Sequence, residues 1–190
     1  MQQGERLERA GKIRRGTTCF DRALELNPRD ALSWSNKGIA FGALGRSEDE
    51  IACYDQALTL DSGFAKAWFN RGVALQQSGR MNEAIDCYAH AVRSDPSYVK
   101  AWHREGVALG LLGRHTEALE CLDHATVLDP YAERAWLDKG TALLHLQRLR
   151  EALRCFEEAE RLGHPQGASA VQFCQEKLGG GAKAQNPQTR

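Results

Sequence analysis

One pattern recurs with a fixed period along this chain of 190 residues. A tryptophan is followed four residues later by a glycine, and the pair returns every 34 residues, at Trp34/Gly38, Trp68/Gly72, Trp102/Gly106 and Trp136/Gly140. A period of roughly 20 to 50 residues marks a unit that buries its apolar face only by stacking on its neighbours. The period therefore predicts a linear array of repeats rather than a domain built around one core.

Each repeat is expected to be a pair of helices. Between residues 31 and 64, apolar residues follow helical spacing in two runs, one before and one after Gly45. A glycine at this place ends a helix, and the last repeat has Gln147 there instead. Proline disfavours helical geometry at the residue before it, and it follows the second run at Pro28, Pro96 and Pro130. The sequence predicts an all-α solenoid of helical hairpins.

The small residues predict how the two helices of a hairpin pack. The glycine after each tryptophan permits a close approach of two helix backbones, and alanine recurs on the facing helix. A large residue recurs four positions after that alanine, at Tyr88, Leu122 and Phe156, and Tyr54 stands in the same column after Glu50, which replaces the alanine in the first complete repeat. We expect the glycines to be notches that receive these side chains. The tryptophans are also expected in the core, where truncation costs about 3 to 5 kcal/mol.

Composition limits the partners and the compartment. Lys plus Arg equals Asp plus Glu at 25 each, so net charge gives no general attraction to nucleic acid or to a membrane. The sequence has no apolar stretch of about 18 residues, and its first residues are charged, unlike a signal peptide. We therefore expect a cytoplasmic protein with neither nucleic-acid nor membrane partners.

Five of the six cysteines lie on the 34-residue register, at Cys19, Cys53, Cys87, Cys121 and Cys155. Equivalent positions in stacked repeats are separated by at least a helix-packing distance of about 8 to 10 Å, whereas a disulfide needs Cα atoms closer than about 7 Å. Free thiols are expected, as in a reducing compartment.

Taken together, these columns resemble the tetratricopeptide repeat family: Trp-x3-Gly, then Ala-x3-Tyr/Phe/Leu-x2-Ala, then Asp-Pro, over 34 residues. The resemblance implies a right-handed superhelix of helix-turn-helix units. The predicted divisions are a partial repeat at 1–30, complete repeats at 31–64, 65–98, 99–132 and 133–165, a capping helix at 166–178 and a disordered tail at 179–190. The start inside a helix leaves open a short cap or a fragment of a longer array.

In this family the first helices of the hairpins line a concave groove that binds peptides, and the resemblance implies such a groove here. The expected peptide-binding residues are Lys66, Phe69, Asn70, Val73, Gln77, Lys100, His103, Arg104, Val107, Leu111, Arg134, Leu137 and Thr141. Asp138 and His145 occupy groove positions of the same repeats. This surface mixes apolar and basic groups.

Charge divides between the two helices of the complete repeats. The first helices sum to +4 and the second helices to −9. This polarity favours an acidic peptide, or one that ends in a free carboxylate, on the side of the first helices. The alternative is that these charges only solvate the helices.

A more specific resemblance is to family members that clamp a C-terminal carboxylate. Asn70 resembles the middle asparagine of that clamp, and Lys100 with Arg104 resembles its Lys/Arg pair. Ser35 and Ile39 stand where lysine and asparagine belong, so the clamp is incomplete.

Two Cys-x-x-His pairs, Cys87/His90 and Cys121/His124, together have the composition of a Cys2His2 metal site. Their register puts them in adjacent repeats, farther apart than the short bonds to one zinc ion permit. No phosphate-binding loop, dinucleotide fingerprint or hydrolase motif occurs in the sequence. We expect neither a metal, nor a cofactor, nor catalysis.

These observations favour a noncatalytic scaffold that binds a peptide or protein segment in the groove. Two alternatives remain open: an array that self-associates through its ends, and a repeat module of a larger enzyme or signalling protein.

Overall fold

The computed structural model of the chain describes residues 16–183, and within that range only helices occur as regular structure. Residues 16–26 are helical and form α1. The helices that follow are α2 Ala31–Ala43, α3 Ser47–Leu60, α4 Ala65–Gln77, α5 Met81–Ser94, α6 Val99–Leu111, α7 His115–Leu128, α8 Glu133–His145, α9 Leu149–Arg161 and α10 Gly167–Lys183. The predicted all-α class is confirmed. None of the described helices is long and apolar enough to cross a bilayer.

The chain divides into two compact units, residues 1–101 and 102–190. In the first unit α2 packs on α3, α3 on α4 and α4 on α5. In the second unit α7 packs on α8, α8 on α9 and α9 on α10. Within each unit, a first helix therefore also contacts the second helix of the preceding repeat, as α4 does with α3 and α8 with α7, which is how stacked hairpins bury their apolar faces.

The predicted notches are confirmed. A Cβ atom at Gly72 would lie 2.7 Å from Cε1 of Tyr88, and one at Gly140 would lie 2.5 Å from Cε1 of Phe156. Both distances are below van der Waals contact, so only glycine lets these helices approach so closely. Tyr88 and Phe156 are fully buried, as Tyr54 is.

The tryptophans differ from the expectation of core residues, because all four are only half-buried. The indole of Trp34 donates a hydrogen bond of 3.0 Å to the carbonyl of Pro28, six residues earlier. Trp136 makes the same bond to Pro130, also at 3.0 Å. Through these hydrogen bonds, each of the two tryptophans links its first helix to the turn that precedes it. Truncation is expected to cost less than for a fully buried aromatic residue, because less apolar surface is lost.

The turn inside each hairpin needs a left-handed residue. Gly45, Gly79 and Gly113 have φ angles of 72°, 78° and 75°, and Gln147 takes the same conformation with φ 63°. An arginine follows each of them and pairs with a carboxylate three residues later; Arg148 Nη2 lies 2.6 Å from Glu151 Oε2. The predicted turns thus form without the usual glycine in one repeat.

The C-terminal helix α10 ends at Lys183, beyond residue 178, where the cap was predicted to end. Glycine lowers helix propensity by only about 1 kcal/mol, so the run from Gly179 does not stop the helix. Residues 184–190 of the predicted tail, like residues 1–15 of the partial first repeat, lie outside the described range.

Candidate functional site

All thirteen predicted groove residues lie on first helices, α4, α6 and α8. Six of them belong to the first unit and seven to the second. They comprise exposed cations, apolar residues that are half-buried except for the exposed Leu111, and polar residues.

In the first unit, Phe69 and Asn70 form the centre of the α4 surface. The Phe69 ring lies 5.0 Å from the ring of Tyr98 and 5.9 Å from that of Tyr88, between centroids. The amide nitrogen of Asn70 is buried and has no hydrogen-bond partner among the described residues. Val73 is half-buried, whereas the remaining three, Lys66, Gln77 and Lys100, are exposed.

In the second unit, three predicted residues, Val107, Leu111 and Thr141, line one cavity between α6, α7 and α8. Its volume is about 180 Å³. The other lining residues are Gly106, Gly110, His115, Ala118, Leu122, Asp138, Ala142 and His145. The walls are mostly apolar, and polar groups of α7 and α8 contribute the rest.

Three histidines lie in or next to the lining of this cavity. His103 Nε2 lies 2.7 Å from Asp138 Oδ2, and since an ionised carboxylate only accepts, Nε2 carries the hydrogen. The rings of His115 and His145 stack in parallel, with 4.1 Å between centroids and 2° between planes. His103 was a predicted site residue, but the structure ties it to Asp138 rather than leaving it unpaired.

The other predicted residues of the second unit lie outside the cavity lining. Arg104 and Arg134 are exposed. Leu137 packs against the buried cluster that contains Leu143, Phe156 and Cys174. Leu137 therefore contributes at least partly to the core of this unit.

The charge separation expected from counting whole helices is smaller at the surface. Three of the counted cations are paired with aspartates of the preceding second helix: Lys37 with Asp21 at 2.7 Å, Arg71 with Asp55 at 2.7 Å, and Lys139 with Asp123 at 2.8 Å. Their side chains are only 17% to 20% exposed. Exposed positive charge remains at the groove positions Lys66, Lys100, Arg104 and Arg134.

The Cys-x-x-His pairs serve packing. The His90 ring stacks on Trp68, and His124 stacks on Trp102, each with 4.3 Å between centroids. Burial, followed by the charge of Arg93, lowers the pKa of His90. Cys87 is buried, and Arg71 Nη1 donates a hydrogen bond to its sulfur at 3.0 Å. Within residues 16–183 no three metal-ligating side chains come together.

His115 is the polar cavity residue that the sequence analysis does not predict. It begins α7, a second helix, whereas the predicted site was restricted to first helices. The sequence does contain a sign of the cavity itself. Gly110 and Leu122 occur in the same repeat, whereas the equivalent positions of the other complete repeats include at least one aromatic residue.

Comparisons with known proteins agree with this architecture. Family models of the tetratricopeptide repeat match residues 65–98, and residues 1–63 and 103–163. A sequence search of curated proteins gives no significant match.

Solved structures share the fold. The crystal structure of MamA is 21% identical, with a TM-score of 0.75 over 88% of this chain and 98% of that one. YrrB, described as a TPR protein with an unusual peptide-binding site, is 25% identical, with a TM-score of 0.76 over 84% and 83% of the two chains. The first TPR of Spaghetti (RPAP3), bound to the HSP90 peptide SRMEEVD, is 24% identical, with a TM-score of 0.59 over 63% and 96%. The chain, with its 34-residue hairpins and glycine notches, therefore belongs to the tetratricopeptide repeat family.

Proposed function

We propose that this protein is a noncatalytic, cytoplasmic scaffold that binds a peptide or protein segment on the first helices of its repeats. The observation that carries the proposal is the buried amide of Asn70, which has no hydrogen-bond partner among the described residues. A buried donor left unpaired costs about 1 to 3 kcal/mol. The Asn70 residue as a whole is only half-buried, so a rotation of its side chain would bring the amide to a carbonyl or carboxylate oxygen of a bound peptide and remove that cost.

The exposed cations specify the class of peptide. Lys66 lies on the same helix as Asn70, and Lys100, Arg104 and Arg134 are also exposed on first helices. Because Asp138 is engaged by His103, these cations have no exposed acid at the predicted groove positions to neutralise them. An acidic segment, or one ending in a free carboxylate, has the complementary charge.

The proposal is tested with an acidic peptide whose structure in complex with a relative is known. Binding of SRMEEVD, and of acidic sequences selected from a displayed random library, is measured by fluorescence anisotropy at low and high salt. We expect affinity to fall as salt rises, because the exposed charges are screened. Lys100→Glu/Arg104→Glu should weaken binding by about tenfold or more. The matched control, Arg93→Glu/Arg150→Glu, reverses the same number of charges on second helices and should bind like the wild type.

Asn70→Leu separates binding from stability. It keeps a side chain of similar size but removes the unpaired donor, so we expect weaker peptide binding together with unchanged or increased stability. Peptides with a free and an amidated C-terminus are compared in the same assay. Equal affinities would exclude the carboxylate-clamp form of the proposal, whereas the absence of any selected peptide would contradict the proposal itself.

A further inference from the structure

The cavity of the second unit lies beside Gly110, Ala118 and Leu122, and no other complete repeat has residues this small at all three positions. Two helix positions bound the corresponding space in each hairpin. The first holds Gly42, Gln76, Gly110 and Leu144 in successive repeats, and the second holds Tyr54, Tyr88, Leu122 and Phe156. Only the repeat at 99–132 combines glycine at the first position with a non-aromatic residue at the second.

The other repeats fill this space with their own side chains. In the repeat at 31–64, a Cβ atom on Gly42 would lie 2.5 Å from Oε1 of Glu50, whose carboxylate also accepts a hydrogen bond of 3.2 Å from the Tyr54 hydroxyl. In the next repeat, the Tyr88 hydroxyl donates to Gln76 Oε1 at 2.8 Å.

In the repeat at 99–132 nothing replaces these groups. A Cβ atom on Gly110 would meet only the Cβ of Ala118 within 4 Å, at 3.9 Å. Ala118 stands where Glu50 stands in the first complete repeat. The outer part of an aromatic ring is the volume that Leu122 lacks relative to Tyr88 or Phe156. The cavity of about 180 Å³ therefore lies where the sequence of this repeat lacks side-chain volume.

The volume and the apolar lining of the cavity suit an aromatic ring that belongs to another molecule. An apolar cavity of about 150 Å³ in another protein accepts benzene, so about 180 Å³ is sufficient for a phenyl group. Val107, Leu111 and Leu122 provide aliphatic contacts, and the stacked rings of His115 and His145 lie at its edge. The Nδ1 atom of His115 is buried without a hydrogen-bond partner among the described residues, so this wall of the cavity has a polar atom that a ligand could contact.

We propose that this cavity binds one aromatic side chain, phenylalanine or tyrosine, presented by the partner segment. The proposal deepens the proposed function, on which its biological role rests, since Val107, Leu111 and Thr141 belong to the predicted groove. The incoming ring supplies the volume that the chain's own side chains supply in the other complete repeats.

The first test uses toluene and p-cresol, the side-chain analogues of phenylalanine and tyrosine, and isopentane as an aliphatic comparison. Binding is followed by NMR of the methyl groups of Val107, Leu111 and Leu122. We expect saturable shifts of these signals with the aromatic probes, and a preference for them over isopentane. Absence of saturable shifts with both aromatic probes, or equal binding of isopentane, would overturn the proposal.

Two variants borrow residues from the chain's other repeats. Leu122→Phe copies Phe156, and Gly110→Leu copies Leu144, so either fills the cavity with a side chain known to fit a matching hairpin. Each should weaken toluene binding by about tenfold or more. Their melting temperatures should equal or exceed that of the wild type, because filling a cavity is usually stabilising. Should one variant fail to fold, the other decides; wild-type binding by a folded variant would contradict the assignment of the cavity.

The second test uses peptides selected by the wild-type chain. We expect one aromatic residue to be enriched, and its replacement by alanine to weaken binding to the wild type but not to Leu122→Phe. Selected peptides without an aromatic residue, bound equally by Leu122→Phe, would overturn this inference and leave the proposed function intact. If the wild type selects no peptide, the proposed function fails, and the toluene titration still decides whether the cavity takes an aromatic ring.

Discussion

At the scale of single residues, the hairpin turns have one unusual member. Gln147 has φ 63°, in the region where glycine stands in the other complete repeats. A side chain there crowds its own backbone, at a cost of roughly 1 to 2 kcal/mol.

Gln147→Gly should therefore stabilise the second unit. The gain is about 0.5 to 1 kcal/mol, because relief of backbone strain exceeds the entropy that glycine adds to the unfolded chain. Urea unfolding followed by circular dichroism measures it. The converse variant, Gly113→Ala, places a methyl group where nothing lies within 4 Å, so only the φ of 75° opposes it. It should destabilise by about 0.5 to 1 kcal/mol, because the backbone strain exceeds the unfolded-chain entropy that alanine removes; a neutral effect of both variants would contradict the assigned turn geometry.

At the scale of helices, repeats are joined by ion pairs as well as by apolar packing. A cation of a first helix pairs with an aspartate of the preceding second helix at Lys37/Asp21, Arg71/Asp55 and Lys139/Asp123. The remaining first helix, α6, has Glu105 at this position, and Ala89 replaces the matching aspartate. The sequence thus changes both positions together.

Asp123→Ala should lower stability by about 1 kcal/mol. The cost arises because the Lys139 side chain is only 19% exposed, so its ammonium loses its carboxylate partner without gaining full hydration, and only the longer hydrogen bond to Thr126 Oγ1, at 3.5 Å, remains. Unfolding midpoints measure the change. Asp86→Ala, which removes an exposed carboxylate from another second helix, is the control and should have little effect. Equal losses from the two variants would mean that the ion pair contributes nothing specific.

At the scale of the whole molecule, each complete repeat buries one thiol on the same 34-residue register, at Cys53, Cys87, Cys121 and Cys155. Burial raises the pKa of Cys53 and of Cys155 to about 11, and that of Cys121 to about 12, from an ordinary value of 9.0. The folded state therefore disfavours the thiolate. Stability from these groups is complete below about pH 9 and is lost as the pH rises through about 11.

We expect the urea unfolding midpoint to fall between pH 9 and pH 11, the range set by these pKa values. The fall should be smaller in Cys53→Ala/Cys155→Ala, in which two of the buried thiols are absent. Comparing slopes rather than absolute stabilities separates thiol ionisation from the cost of the substitutions. Identical pH dependence of the two proteins would show that these thiols do not govern alkaline stability.

Much of the fold follows from local rules that a single repeat contains. The glycine notch facing Tyr88 or Phe156, the left-handed turn residue and the helical spacing all act within one hairpin, so they are readable from the sequence. The half-burial of the tryptophans cannot be predicted from the sequence, because it depends on where the preceding turn lies.

The candidate site was predictable only in part. The register assigned the residues to first helices, but pairing removed Lys37, Arg71 and Lys139 from the exposed charge, and His103 turned to Asp138. Such pairings join residues from different repeats. Periodicity alone does not specify them, since side-chain conformation decides which neighbours meet.

The sequence by itself determined the family, the hairpins and the columns in which small and large residues face each other, because each depends on a short and repeated segment. Only the tertiary structure decided which cations stay exposed, which histidine reaches a carboxylate and whether the missing volume beside Gly110 is left open. These outcomes depend on contacts among several helices, where the volumes and charges of residues far apart in the chain are summed in one place.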